Sequence, residues 1–164
     1  MSAPALTEVH LLELPVALWS KTQQHSEELF REFALAAAGA REDQQHQVPV
    51  RLTALIAALT ADFGGVSTEQ EQELFRAAQE GQAVIADLVF QVPAGAGAAS
   101  RTLGDMLDEA DDYCRRGEHL LTLSAPEDVV RFRRWYLLEF IRQADGQPPV
   151  AWPRYDGFWP SAAA

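Results

Sequence analysis

Nonpolar residues recur at alternating steps of three and four along most of this chain, and this spacing constrains the fold more than any other feature. It is the repeat of an α-helix that buries one face. The pattern predicts helices at residues 15–39, 49–64, 67–88 and 125–144, and a further one that starts between 93 and 100 and runs to about 120. The clearest seam belongs to that helix and consists of Ala96, Ala99, Leu103, Met106, Ala110, Tyr113, Gly117 and Leu120.

The predicted fold class is therefore all-α, an up-and-down helical bundle of four to five helices. The third helix supports this class, because its stripe of Leu74, Ala78, Gly81, Ile85 and Leu88 also advances in fours and threes. Residues 1–146 form a single domain in this interpretation. The short apolar segment 6–14 is too irregular for a helix, and we expect an extended N-terminal arm lying over the core. Residues 147–164 form an aromatic, proline-rich tail.

The charge of the chain argues against two classes of partner. A formal net charge of −11 disfavours nucleic acid, because neutralising phosphates requires a basic face. The same charge disfavours binding to anionic lipid.

The only cysteine is Cys114, which excludes an internal disulfide and is typical of a reducing compartment. Since no apolar run approaches ~18 residues, we expect a cytoplasmic protein that does not span a membrane.

Three carboxylates, Asp105, Asp108 and Asp112, share one face of the predicted helix that ends near residue 120. Such a cluster is most often a solvated surface. Such carboxylates are also one component of the metal sites in helical bundles. Those sites need Glu-x-x-His pairs as well, and the sequence contains none. The remaining interpretation is a surface that docks a partner.

The histidines and the cysteine give no complete site. His25 and Glu28 lie one helical turn apart and are a possible ligand pair, whereas a zinc site needs three or four converging ligands. Cys114 lies next to a helical seam, where a buried thiol is inert. The glycines of the turn at residues 94–100 lack the Lys-Ser/Thr of a phosphate loop. We therefore predict no catalytic residue, no metal site and no cofactor.

Arg133 falls within the apolar stripe of the last helix, among Tyr136, Leu137 and Phe140. An unpaired buried charge is very costly, so Arg133 needs a carboxylate partner. We expect a buried ion pair with Asp105, Asp108 or Asp112.

The tail carries four aromatic residues within eight positions, which is too apolar for an ordinary disordered end. These residues are Trp152, Tyr155, Phe158 and Trp159. They are expected to fold back over the bundle and cover its core. The alternative is that they dock on another subunit or a partner, for which Trp and Tyr are effective anchors.

Residues 103–123 (LGDMLDEADDYCRRGEHLLTL) and 125–143 (APEDVVRFRRWYLLEFIRQ) resemble an uncharacterised actinobacterial all-helical family. Residues 9–19 (VHLLELPVALW) and 27–37 (EELFREFALAA) are similar to it as well, so the resemblance spans most of the chain. Members of that family are encoded close to STAS-type anti-sigma-factor antagonists and their ATP-binding anti-sigma kinases. The resemblance implies a role in partner switching. It carries no catalytic residue onto this chain.

Three functional hypotheses follow. The first is a non-enzymatic protein-interaction module in bacterial anti-sigma regulation, with a STAS protein or an anti-sigma factor as partner. The second is a bundle that binds a metal ion or a small molecule between its helices, through His25, Glu28 and the Asp105–Asp112 face. The third is a homodimeric structural protein that associates through the last helix and the tail.

Overall fold

The computed structural model describes residues 5–39, 68–116 and 125–160, and these ranges contain four α-helices and one two-stranded antiparallel sheet. The elements in chain order are β1 (Leu6–Pro15), α1 (Val16–Gly39), α2 (Thr68–Gln79), β2 (Val84–Pro93), α3 (Ala96–Arg116), α4 (Glu127–Ala144) and a 3-10 turn (Trp152–Arg154). The all-α fold class predicted from the sequence is therefore wrong. The described fold is a mixture of α-helices and β-strands.

The two strands form a ribbon whose inner side is part of the hydrophobic core. They pair from Leu6 opposite Pro93 to Pro15 opposite Val84. Residues of both strands point inward and are buried: Val9, Leu11, Leu14, Ile85, Leu88, Phe90 and Val92. The N-terminal segment is extended, as the prediction of an arm requires. It is a strand, however, with one face buried in the core and the other outside it, because β2 supplies the hydrogen-bonding partner that the prediction lacked.

An irregular step in the ribbon explains why β2 resembled a helix. The buried positions of β2 skip from Ile85 to Leu88, with Ala86 and Asp87 both exposed between them. Opposite this step, Glu13 has a left-handed φ of 55°, and β1 changes its inward face there as well. Strand residues normally alternate with a period of two. The step of three from Ile85 to Leu88 follows a step of four from Gly81 to Ile85. Together the two steps have the spacing of a helical stripe.

Two glutamines from the helices cover the outer edges of the ribbon at one cross-strand pair, His10 and Val89. The Gln143 side chain accepts a hydrogen bond from the His10 backbone N–H (2.8 Å) and donates one to its carbonyl (2.8 Å). On the other edge, Gln70 donates to the Val89 carbonyl (2.8 Å). Open strand edges invite pairing with other chains, so these contacts both position α2 and α4 and close the ribbon at its centre.

Helix α4 lies at the centre of the fold, in contact with α1, α3 and β1. Its Phe132 and Trp135 are fully buried and pack with the inward side chains of the ribbon. Burying an aromatic side chain of this kind contributes roughly 1.5–3 kcal/mol by transfer from water. This explains why the helix carries apolar residues on almost every side, since it has neighbours on most of them.

Some predictions concern residues outside the described ranges. They include the predicted helix at 49–64 and the end of the seam at Gly117 and Leu120. In the ranges that the structure does describe, no helix combines the length and the apolar character needed to cross a membrane.

Candidate functional site

All three carboxylates singled out on α3 have partners within the chain. Asp108 accepts hydrogen bonds from Arg133 Nη2 (2.6 Å) and Arg134 Nη2 (3.0 Å). Asp105 accepts one from the indole N–H of Trp159 (3.1 Å). Asp112 is exposed, and its carboxylate lies 3.1 Å from Arg115 Nη2. Asp105 thus holds the tail and Asp108 holds α4, whereas Asp112 lies on the surface.

Arg133 is buried, with 8% of its surface exposed, and its partner Asp108 is one of the three acids that the sequence offers. The neighbouring Asp111 is buried as well and accepts a hydrogen bond from the Ala125 backbone N–H (2.6 Å). Charges removed from water are tolerated when they are paired and hydrogen-bonded. These contacts fasten the C-terminal half of α3 to the start of α4.

Among the described side chains, no third ligand accompanies the proposed pair of His25 and Glu28. His25 lies near this charged cluster, where burial lowers the pKa of its imidazole and the charge of Asp111 opposes that effect. Among the described side chains, no group of three or more His, Cys, Asp and Glu residues is arranged to hold a metal ion. The side chain of Cys114 and residues His46 and His119 lie outside the described part of the chain.

Trp152 and Tyr155 of the tail pack against α4, where Tyr155 is part of the core and Trp152 lies partly buried against it. The Trp152 ring lies 5.7 Å from the ring of Phe132 and 5.6 Å from that of Trp135, measured between centroids. Tyr155 is 5% exposed, and this burial raises the pKa of its hydroxyl to about 12. The Arg131 guanidinium stacks over both tail rings and donates a hydrogen bond to the Tyr155 carbonyl.

A buried polar network that the sequence analysis missed fixes the start of the tail. Glu139 is 1% exposed, and its Oε2 accepts hydrogen bonds from the Val150 backbone N–H (2.9 Å) and from Gln143 Nε2 (2.9 Å). The Val150 carbonyl in turn accepts one from the Trp135 indole (2.8 Å). Burial raises the pKa of the Glu139 carboxyl. The sequence feature that could have indicated this network is a glutamate and a glutamine four residues apart within an apolar helix.

The ring of Trp159 packs against α3 at Gly104, where only glycine leaves room for it. A Cβ atom at position 104 would overlap the six-membered ring of Trp159. The hydrogen bond from the indole to Asp105 holds the ring in this place. The end of the described tail is therefore seated on α3, and its beginning on α4.

Gly104→Ala is expected to have opposite effects with and without the Trp159 ring. In the wild-type chain the overlap should lower the free energy of unfolding by about 1–2 kcal/mol, because the ring must leave its seat. In a Trp159→Ala background the same change should raise it by up to about 1 kcal/mol, because alanine favours a helix more than glycine does. Urea unfolding of the four chains measures both effects. Stabilisation in both backgrounds would show that the ring does not occupy this seat in solution.

Phe158 differs from the other tail aromatics because it points outward and is 59% exposed. Its backbone is held from both sides: its N–H donates to Asp156 Oδ1 (2.9 Å), and its carbonyl accepts from the Tyr155 hydroxyl (2.6 Å). It lines an open cavity of about 520 Å³ between α4, the start of α3 and residues 150–160, here called the tail pocket. The pocket wall combines apolar residues with three arginines, Arg101, Arg142 and Arg154.

A second missed cluster lies on the outer side of the ribbon. The two nitrogens of the His10 ring lie 3.0 Å from Asp87 Oδ1 and 2.6 Å from Glu8 Oε1. The hydrogen bond with Asp87 and the contact with Glu8 raise the pKa of this imidazole. The cluster depends on the pairing of β1 with β2, which the helical interpretation of β2 concealed.

Comparisons of the chain with protein-family models, with curated proteins and with solved structures gave no match.

Proposed function

We propose that this protein is a non-enzymatic interaction module that binds a segment of another protein in the tail pocket. The observation that carries the proposal is the exposure of Phe158. An aromatic side chain at the edge of a cavity, on a backbone held by hydrogen bonds with the side chains of Tyr155 and Asp156, is a preformed anchor. Because the rest of the tail is seated on α3 and α4, binding a partner here would cost little ordering of the chain.

The shape of the surface favours an extended occupant. The tail pocket has a neighbouring cavity of about 460 Å³ between the start of α3 and the end of α4. The two cavities share Arg101, Ile141 and Asp145 in their walls. Together they form a groove along the side of α3 and α4. Such a groove suits a peptide segment with side chains in successive pockets.

The resemblance to the actinobacterial family suggests the setting. We place the module in the bacterial cytoplasm, in anti-sigma partner switching, with a STAS protein or an anti-sigma factor as partner. The strong negative charge supports a protein partner over nucleic acid, since a polyanion would be repelled.

Titration calorimetry against the STAS and anti-sigma proteins of the same genome tests this proposal. We expect one of them to bind with a dissociation constant on the order of micromolar, and Phe158→Ala to weaken that binding at least about tenfold. The matched control is Phe75→Ala, which removes another exposed ring (49%) on α2, outside the tail pocket. The control should change the affinity by less than about twofold.

The proposal fails if none of these proteins binds at micromolar concentration, or if the two phenylalanine variants weaken binding equally. Light scattering of the isolated protein adds a further check. A dimer that Phe158→Ala dissociates would mean that a second copy of the chain occupies this surface.

A further inference from the structure

The charges in the wall of the tail pocket stand out against the charge of the whole chain. The protein has 24 acidic and 13 basic residues, yet this pocket contains three arginines and only two aspartates, Asp145 and Asp156. Asp156 already accepts the Phe158 backbone N–H. The wall of the pocket thus carries one more basic than acidic side chain, on a chain whose acidic residues outnumber its basic ones.

Two of the three arginines have no polar side-chain partner among the described residues. Arg142 donates to Gln147 Oε1 (3.0 Å) and lies 3.7 Å from Glu139 Oε1. Arg101 and Arg154 are exposed, and neither forms an ion pair or a side-chain hydrogen bond with any described residue. By contrast, Arg115, Arg133 and Arg134 each contact a carboxylate.

Apolar residues make up much of the rest of the wall, beside Gln147 and the two aspartates. Leu138 and Ile141 of α4 contribute aliphatic surface, and Phe158 contributes its ring. A guanidinium matches the geometry of a carboxylate, with two parallel N–H donors for two oxygens. A ligand that satisfies both parts of the wall carries a carboxylate next to an apolar group.

We infer that the tail pocket recognises a carboxylate joined to an aromatic or aliphatic group. Arg101 and Arg154 bind the carboxylate, and Phe158 contacts the apolar group. In a protein partner this is an Asp or Glu side chain beside an aromatic or aliphatic residue. The inference deepens the proposed function, because it names the partner chemistry that the same surface accepts. It is testable without the partner itself.

The experiment titrates three small probes into the ¹⁵N-labelled full chain and follows its amide resonances. Phenylacetate carries both groups, acetate carries the charge alone, and benzyl alcohol carries the ring alone. We expect phenylacetate to shift the amides of residues 150–160 and the start of α3, with a dissociation constant on the order of millimolar. Acetate and benzyl alcohol should each bind at least about fivefold more weakly, because each uses one part of the wall.

Arg101→Ala and Arg154→Ala should each weaken phenylacetate binding by about threefold to tenfold. The control is Arg76→Ala, which removes an exposed arginine paired with Glu80 on α2 and should leave the affinity unchanged. Three results would each overturn the inference. Acetate or benzyl alcohol could bind as tightly as phenylacetate, or the Arg76 variant could lose as much affinity as the Arg101 and Arg154 variants. The third result is no shift of the pocket amides.

These outcomes separate the two proposals. A partner that depends on Phe158 but not on Arg101 or Arg154 leaves the proposed function standing and removes the carboxylate specificity. If phenylacetate binding depends on both arginines but no protein partner binds, the carboxylate specificity stands and the proposed function fails.

Discussion

Asp108→Ala is expected to lower the free energy of unfolding by about 3–5 kcal/mol, because it leaves the buried Arg133 guanidinium without its counter-charge. Arg134, which shares the carboxylate, loses its partner too but is partly exposed and can be hydrated. The matched control is Asp112→Ala, one helical turn further along α3, whose exposed pair with Arg115 should contribute no more than about 1 kcal/mol. Urea unfolding at neutral pH measures both changes.

Replacing Arg133 instead of Asp108 should lower the free energy of unfolding by much less. Arg133→Met removes the charge that is expensive to bury, while Asp108 keeps its contact with Arg134 (3.0 Å). We expect this variant to lose about 1 kcal/mol or less, since a hydrophobic side chain of similar length fills the same space. In its background, Asp108→Ala should cost far less than in the wild-type chain. Equal costs for the Asp108 and Asp112 variants would contradict the burial of the pair.

The Arg133 pair was accessible to sequence reasoning because its cause is local. A guanidinium in an apolar stripe demands an acid, and the only dense acidic stretch belongs to the preceding helix, residues 105–112. The packing of the tail on the helices follows from similarly simple physics, since exposed tryptophans are costly. Which aromatic of the tail faces outward could not be predicted. That depends on hydrogen bonds between the Phe158 backbone and the side chains of Tyr155 and Asp156, which composition does not encode.

The ribbon was not predicted because its local pattern favours the wrong periodicity. The strand residues Leu88, Phe90 and Val92 do alternate, but the irregular step at Ala86 and Asp87 breaks the period of two. The step is compensated across the pair at Glu13, some 70 residues away in the chain. Only the pairing of the two strands reveals that both irregularities are one feature. A single stretch of sequence does not contain that information.

The network around Glu139 escaped prediction for a related reason. Its partners are backbone groups of the tail and a glutamine that also holds β1, so the network exists only after three distant segments meet. A carboxylate buried in an apolar helix is nevertheless unstable in isolation. Its presence ties the position of the tail to the packing of the ribbon against α4.

Glu139→Gln is therefore expected to make stability less dependent on pH. Because burial raises the pKa of this carboxyl in the folded state, the protonated form stabilises the fold. That contribution is fully present below the unfolded-state pKa, near 4.5, and is lost as pH rises through the raised folded-state pKa. The wild-type chain should thus lose stability relative to the Gln variant between acidic and neutral pH. The glutamine keeps an oxygen that can accept from Val150 and Gln143.

Glu139→Ala separates the charge from the hydrogen bonds. It leaves the Val150 N–H and the Gln143 amide without their acceptor and opens a cavity, so we expect a loss of about 2–4 kcal/mol across the pH range. Glu127→Gln, at the exposed start of α4, is the control and should change stability by less than about 1 kcal/mol. Urea unfolding at several pH values between 4 and 8 compares the four chains. A constant difference between the wild type and Glu139→Gln at every pH would mean that Glu139 titrates as it does in the unfolded chain. The carboxylate that holds the tail would then be in contact with water.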